Sequence, residues 1–224
     1  MPVYDISGNA IITGKGSSVL YGKKWAVCGD SITSGEHAEK DENGNYKTYA
    51  WFIAERNNMT LYKDGISGTT MTNNGNQLAF SVSRYKNIPK DCDYITIWFG
   101  INDQTGTVGT IDDTENTTYY GAFNVVLTYL LNNMPSTTKI GLVASHDMAS
   151  VKREAVHAVA KKYGLKVFDI EDDENIPYWH RYGSGVSEEV ATLRSSQWFA
   201  DGQHPNTAGY EYISAPFEAW LKTL

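Results

Sequence analysis

Four short stretches of the chain carry side chains suited to ester chemistry: Gly29-Asp30-Ser31, Gly65-Ile66-Ser67-Gly68, Gly100-Ile101-Asn102-Asp103 and Asp201-Gly202-Gln203-His204. A serine attacks a carbonyl only when a base takes its proton and a third group orients that base. Ser31 ends the apolar run Trp25-Ala26-Val27-Cys28, so a scaffold strand would hold its hydroxyl at a tight turn. His204 is the candidate base, because a single turn from Asp201 can set a carboxylate beside its ring and fix the tautomer. His37, His146, His157 and His180 have no comparable neighbour pattern. The developing oxyanion needs hydrogen-bond donors. The backbone amide of Gly68 and the side-chain amide of Asn102 are the candidates. Read singly, each stretch also has the composition of an ordinary turn, cap or surface histidine.

The elements around these residues decide between the two readings. Hydrophobic spacing predicts strands at 25–28, 59–62, 94–99, 139–144 and 166–169. It predicts helices at 49–57, 77–85, 119–133, 151–163 and 205–224, with Gly164 stopping the fourth and Pro205 opening the last. Residues 170–198 read as a long insertion with short helical turns. Strands alternating with helices predict an α/β fold with a parallel sheet covered on both faces. Ser31, Gly68 and Asn102 each follow a predicted strand, so a parallel sheet would bring them to one edge, with Asp201 and His204 in another loop able to reach it.

At 224 residues the chain is long enough to bury a full layered core. Residues 1–22 read as a separate hairpin-like extension and Gly/Ser connector, leaving 23–224 as the main domain. A phosphate loop at Gly14-Lys15-Gly16 is disfavoured, because no Ser or Thr follows the lysine. The net charge of −7, without a basic cluster, argues against a nucleic-acid partner. No run is long and apolar enough to span a membrane, and no signal peptide is visible. That leaves a cytoplasmic, virion-associated or processed secreted chain open. Cys28 and Cys92 fall beside predicted strands and read as reduced core thiols, with a bridge between them as the alternative. No Cys/His grouping has zinc-site spacing, so neither metal nor cofactor is expected.

Taken in order, the four stretches resemble the sequence blocks of the SGNH (GDSL-like) hydrolases, over roughly residues 23–222. The resemblance implies a flavodoxin-like three-layer α/β/α sandwich with about five parallel strands and an open site. It implies Ser31 as nucleophile, Ser31, Gly68 and Asn102 as the oxyanion hole, and Asp201 and His204 as the rest of a triad. The other common serine-hydrolase signature, Gly-x-Ser-x-Gly, does not occur.

The expected activity is therefore carboxylic-ester hydrolysis, first of all O-deacetylation of a carbohydrate. Asp30, Tyr178, Trp179 and Trp198 are candidate substrate contacts, the aromatics by stacking on sugar faces. Small acyl esters or thioesters are the alternative within the class. A carbohydrate-recognition module of a surface or virion assembly is the alternative outside it, with the N-terminal extension joining a further domain or oligomer.

Overall fold

The computed structural model describes residues 3–4, 10–11, 18–171 and 187–224. Two short strands, β1 (Val3–Tyr4) and β2 (Ala10–Ile11), pair antiparallel. The main sheet follows, with β3 (Lys24–Gly29), β4 (Thr60–Gly65), β5 (Tyr94–Trp98), β6 (Lys139–Ala144) and β7 (Lys166–Asp169). All its pairings are parallel, in the order β4-β3-β5-β6-β7. The alternation predicted the parallel sheet, and this order, whose direction reverses between β3 and β5, is the flavodoxin-like one that the family resemblance implied.

Alternate residues of each central strand feed two cores, as the pleat requires. Ala26, Cys28, Ile95, Ile97 and Leu142 face one side, against α3 (Tyr119–Asn133) and α4 (Ser150–Tyr163). Trp25, Val27, Trp98, Val143 and Phe168 face the other, against α2 (Tyr49–Asn57) and α6 (Thr207–Leu221). Phe217 of α6 packs on the rings of Trp25, Tyr49, Trp98 and Phe168. Burial on both faces explains why β5 and β6 read as near-continuous apolar runs. The edge strand β4 keeps Lys63 and Asp64 and was predicted too short. Cys28 and Cys92 are both buried free thiols. Among the described residues no helix is long and apolar enough to cross a membrane.

Three expectations are corrected. Residues 77–85 form turns and a 3-10 segment, Arg84–Asn87, in place of a helix. There Phe80 and Ser81 donate backbone bonds to Thr70 and Met71, which competes with helical pairing. Short helical turns were expected near 198, but α5 (Glu188–Trp198) is a regular helix capped by the Ser187 hydroxyl on Val190. Only Ala191 of α5 is buried, so it carries no apolar stripe to read. Finally, α6 starts after an Asn206 cap, and Pro205 lies outside it in a bridge with Phe199.

Candidate active site

Strand β3 ends at Gly29, and the next residue caps the short helix α1 (Ser31–Ser34). The Asp30 carboxylate accepts from the Ile32 amide at 3.1 Å. Gly29 is required by space, since a Cβ there would sit 2.1 Å from Thr33 Oγ1 and 2.9 Å from the Trp98 carbonyl oxygen. Ser31 is thus the first residue of a helix at the C-terminal edge of the sheet, beside the point where strand order reverses. Its N–H is one of the donors that a helix start leaves without an intrahelical partner.

The loop before α6 supplies the groups that face it. The Phe199–Pro205 bridge and an Ala200 to His204 backbone bond close this loop into a tight excursion. Inside it, Asp201 Oδ1 accepts from the backbone of Gln203 and His204 at 3.0 and 2.8 Å. Asp201 Oδ2 lies 2.7 Å from His204 Nδ1, and His204 Nε2 lies 2.9 Å from Ser31 Oγ. A carboxylate only accepts, so Nδ1 carries the ring proton and Nε2 offers its lone pair to the Ser31 hydroxyl. Burial would raise the Asp201 carboxyl, but bonds from the His204 backbone and ring and from Gln203 hold it well below the usual carboxylate range. It therefore stays ionised at any pH where an ester hydrolase works.

Two further loops complete this edge of the sheet. Ile66 to Thr69 form a turn in which Gly68 takes a left-handed backbone, φ 74°. A Cβ there would meet nothing within 4 Å, so conformation and not space asks for glycine. After β5, the Asn102 amide donates to the Thr69 carbonyl at 3.0 Å, which leaves its second N–H for another acceptor. Asp103 is buried and accepts from the backbone of both Met71 and Thr72 at 2.9 Å. The Gly68 and Asn102 loops are therefore fastened to each other.

Several residues of the setting had no readable signal. Arg84 is buried and donates to the Asp64 carboxylate, Thr69 Oγ1 and the Gly29, Asp64 and Leu78 carbonyls, tying the ends of β3 and β4 to the Gly68 turn. It lay in a stretch predicted as a helix, where one arginine attracts no notice. His146 is buried at the end of β6, with Nε2 2.9 Å from the Gln203 carbonyl under the Asp201 loop. His37 comes from the loop after α1; its Nε2 is 3.3 Å from Asp201 Oδ2 and its ring 5.4 Å from that of His204.

Asp30 was expected among the substrate contacts, but it is only 1% exposed and its partner is the helix it caps. Burial pushes its carboxyl up to about 7, offset in part by the Ile32 amide, with Asp103 adding to the rise. Trp198 stacks on Tyr212 of α6, with ring centroids 4.7 Å apart, so packing accounts for its position. Tyr178 and Trp179 lie outside the described residues.

At the switch point of this doubly wound sheet a hydroxyl, an imidazole and a carboxylate stand in one hydrogen-bonded line. The family model of GDSL-like lipases and acylhydrolases matches residues 27–212, and the chain belongs to that family. It is accordingly an SGNH-type carboxylic-ester hydrolase. No curated protein matches the sequence.

Solved structures share the fold at low identity. A Lactobacillus plantarum protein is 23% identical with a TM-score of 0.73, over 91% of this chain and 98% of that one. The acetylxylan esterase Axe2 of Geobacillus stearothermophilus is 16% identical with a TM-score of 0.58, over 91% and 96%. A carbohydrate esterase family 2 enzyme with a carbohydrate-binding domain, from Corynascus thermopiles, is 15% identical with a TM-score of 0.59, over 90% and 66%.

Proposed function

We propose that the chain is a serine esterase that removes acetyl groups from an esterified carbohydrate through Ser31, His204 and Asp201. The observation that carries this reading is the unbroken line of bonds from Asp201 Oδ2 through both ring nitrogens of His204 to Ser31 Oγ. Ser31 Oγ attacks the ester carbonyl while His204 Nε2 takes its proton. The imidazolium that forms is stabilised by the ionised Asp201. Charge developing on the carbonyl oxygen is met by the N–H groups of Ser31 and Gly68 and the free N–H of Asn102. His204 then protonates the leaving alcohol, and water, deprotonated by the same ring, releases the acid.

The carbohydrate part rests on different support. The loop after α1 leads into a cavity of about 450 Å³ lined by Tyr46, Trp51, Asp41, Asn45 and Lys63, among others. Tyr46 touches Gly35, the cap of α1, at one end of this cavity, which runs from there along α2 and the edge strand β4 to Met59 and Leu61, while Ser31, Asn102 and His204 lie outside its walls. Aromatic faces beside carboxylate and amide groups suit sugar rings and hydroxyls. Two enzymes with the same fold are carbohydrate esterases by name.

The test is acetate release from a panel of acetylated glycans, with p-nitrophenyl acetate as the reference ester and Ser31→Ala as the control. The expected result is turnover of both that Ser31→Ala abolishes. Hydrolysis of p-nitrophenyl acetate with no glycan turned over would reduce the reading to a small-acyl esterase. Glycan binding without any turnover would point to a recognition module.

A further inference from the structure

Besides lying in the hydrogen-bonded line, Asp201 and His204 form a cluster with His37. One ligand atom from each of the three lies within 4.8 Å of the others. Asp201 Oδ2 is the common point, 2.7 Å from His204 Nδ1 and 3.3 Å from His37 Nε2. Around a tetrahedral zinc ion with bonds near 2.1 Å, ligand atoms sit about 3.4 Å apart. On the carboxylate side the spacing is already near this, at 2.7 and 3.3 Å, and the two imidazoles, with ligand atoms within 4.8 Å of each other, would draw together to close the triangle around an ion. Two imidazole nitrogens and one carboxylate make a donor set that suits zinc, and with three protein ligands a fourth position stays open for water. The site is reachable: the side chains of His37 and Asp201 are each 42% exposed. His37 is delivered by backbone geometry, because the chain leaves α1 through two left-handed residues, Gly35 (φ 91°) and His37 (φ 64°).

We propose that His37, Asp201 and His204 form an inhibitory zinc site, in which a zinc-class ion displaces the proton that His204 shares with Asp201 and switches the esterase off. Binding breaks the Nδ1–H bond of His204, releases that proton to solvent, and forms bonds from the ion to His204 Nδ1, His37 Nε2 and Asp201 Oδ2. A His204 ring held by the ion loses the orientation and charge support that Asp201 gives it, so it no longer serves as the base for Ser31. The ion plays no part in the hydrolytic steps. Magnesium, which prefers oxygen ligands and keeps its waters, has little affinity for such a set. His37 is the residue that distinguishes this site from the hydrolytic one, since the line from Asp201 to Ser31 is complete without it.

The proposal rests on the catalytic reading of His204 for its effect on turnover, but not for binding, and the experiment separates the two. Zinc chloride is titrated calorimetrically into the full wild-type chain, Ser31→Ala and His37→Asn, and p-nitrophenyl acetate turnover is followed with zinc, magnesium, and zinc followed by EDTA. One zinc ion should bind per chain in wild type and in Ser31→Ala, and zinc inhibition of wild type should be reversed by EDTA. His37→Asn should keep basal turnover within about twofold. It should need at least about tenfold more zinc both to bind and to be inhibited, since losing even a supporting partner of a metal site costs about 10–100-fold. Equal zinc affinity in wild type and His37→Asn, or equal inhibition by magnesium, would overturn the proposal. So would basal turnover in His37→Asn as low as in His204→Ala. A Ser31→Ala variant that still hydrolyses the ester would instead remove the nucleophile assignment and leave the zinc titration to stand by itself.

Discussion

At the scale of single residues, the proposed mechanism gives Asn102 two duties. One N–H of its amide holds the Thr69 carbonyl, and the other is available to the oxyanion. Asn102→Ala should lower kcat by ~10² to 10³, as loss of one oxyanion donor does elsewhere, with KM little changed because the contact strengthens in the transition state. It should also lower Tm by about 2–4 °C, since a net hydrogen bond is worth about 1 kcal/mol in a chain of this size. Asn102→Asp should be at least as damaging, because it places a carboxylate against both a carbonyl and the developing charge. A normal kcat in the folded Ala variant would assign Asn102 to loop fastening alone.

His204→Ala should be nearly as severe as loss of Ser31. Asp201→Ala should be milder, as orientation and charge support are partly replaceable. Steady-state turnover of the purified variants ranks the three, and an Asp201 variant less active than the His204 variant would reverse the roles.

Ser31 and Asn102 stood out in the sequence because each follows a strand, and Asp201 and His204 because three residues of spacing set a carboxylate beside a ring within one turn. His37, Arg84 and His146 were not legible. Each acts on a partner far along the chain, and no spacing rule connects such pairs.

At the scale of elements, α1 shows how a buried group sets a pH response. Asp30 caps this helix from a site where burial moves its carboxyl up to about 7 from an unfolded value near 3.8. Between those values the folded protein keeps a proton that the unfolded chain has lost. Stability from this group is therefore full below about pH 4, falls as pH rises toward 7, and is flat above. Asp30→Asn keeps the capping oxygen and cannot ionise. Melting curves from pH 5 to 8 should show wild type losing Tm relative to Asp30→Asn as pH rises. A constant difference across that range would contradict a proton on Asp30.

The elements also mark where periodicity fails as a guide. α2, α3, β6 and β7 were read closely because an apolar stripe or a doubly buried run states their type. α5 buries only Ala191, so its only signals were the Ser187 cap and the acidic first turn. The turns around residue 80 carry helix-like apolar spacing, yet their backbone pairs with the Gly68 loop.

At the scale of the whole molecule, the sheet order places the ends of β3, β4 and β5 side by side, and Arg84 ties those of β3 and β4 to the Gly68 turn. Its guanidinium pairs with Asp64 at 2.9 Å, with both side chains largely buried. Arg84→Ala would leave that carboxylate without its partner, at a cost of about 3–5 kcal/mol. For a chain of this length that corresponds to a Tm drop of about 6–20 °C, measurable by calorimetry. A drop of under 2 °C would mean the edge of the sheet holds without it. The fold class was legible as a whole because alternating strands and helices admit few arrangements.

The central claim is that Ser31 is the nucleophile activated by His204. Its most direct test is labelling with a fluorophosphonate, followed by peptide mapping by mass spectrometry on wild type, Ser31→Ala and His204→Ala. The account predicts one adduct per chain, on the peptide holding Ser31, and almost none in either variant. An adduct on another residue of the wild type, or undiminished labelling of Ser31→Ala, would contradict it.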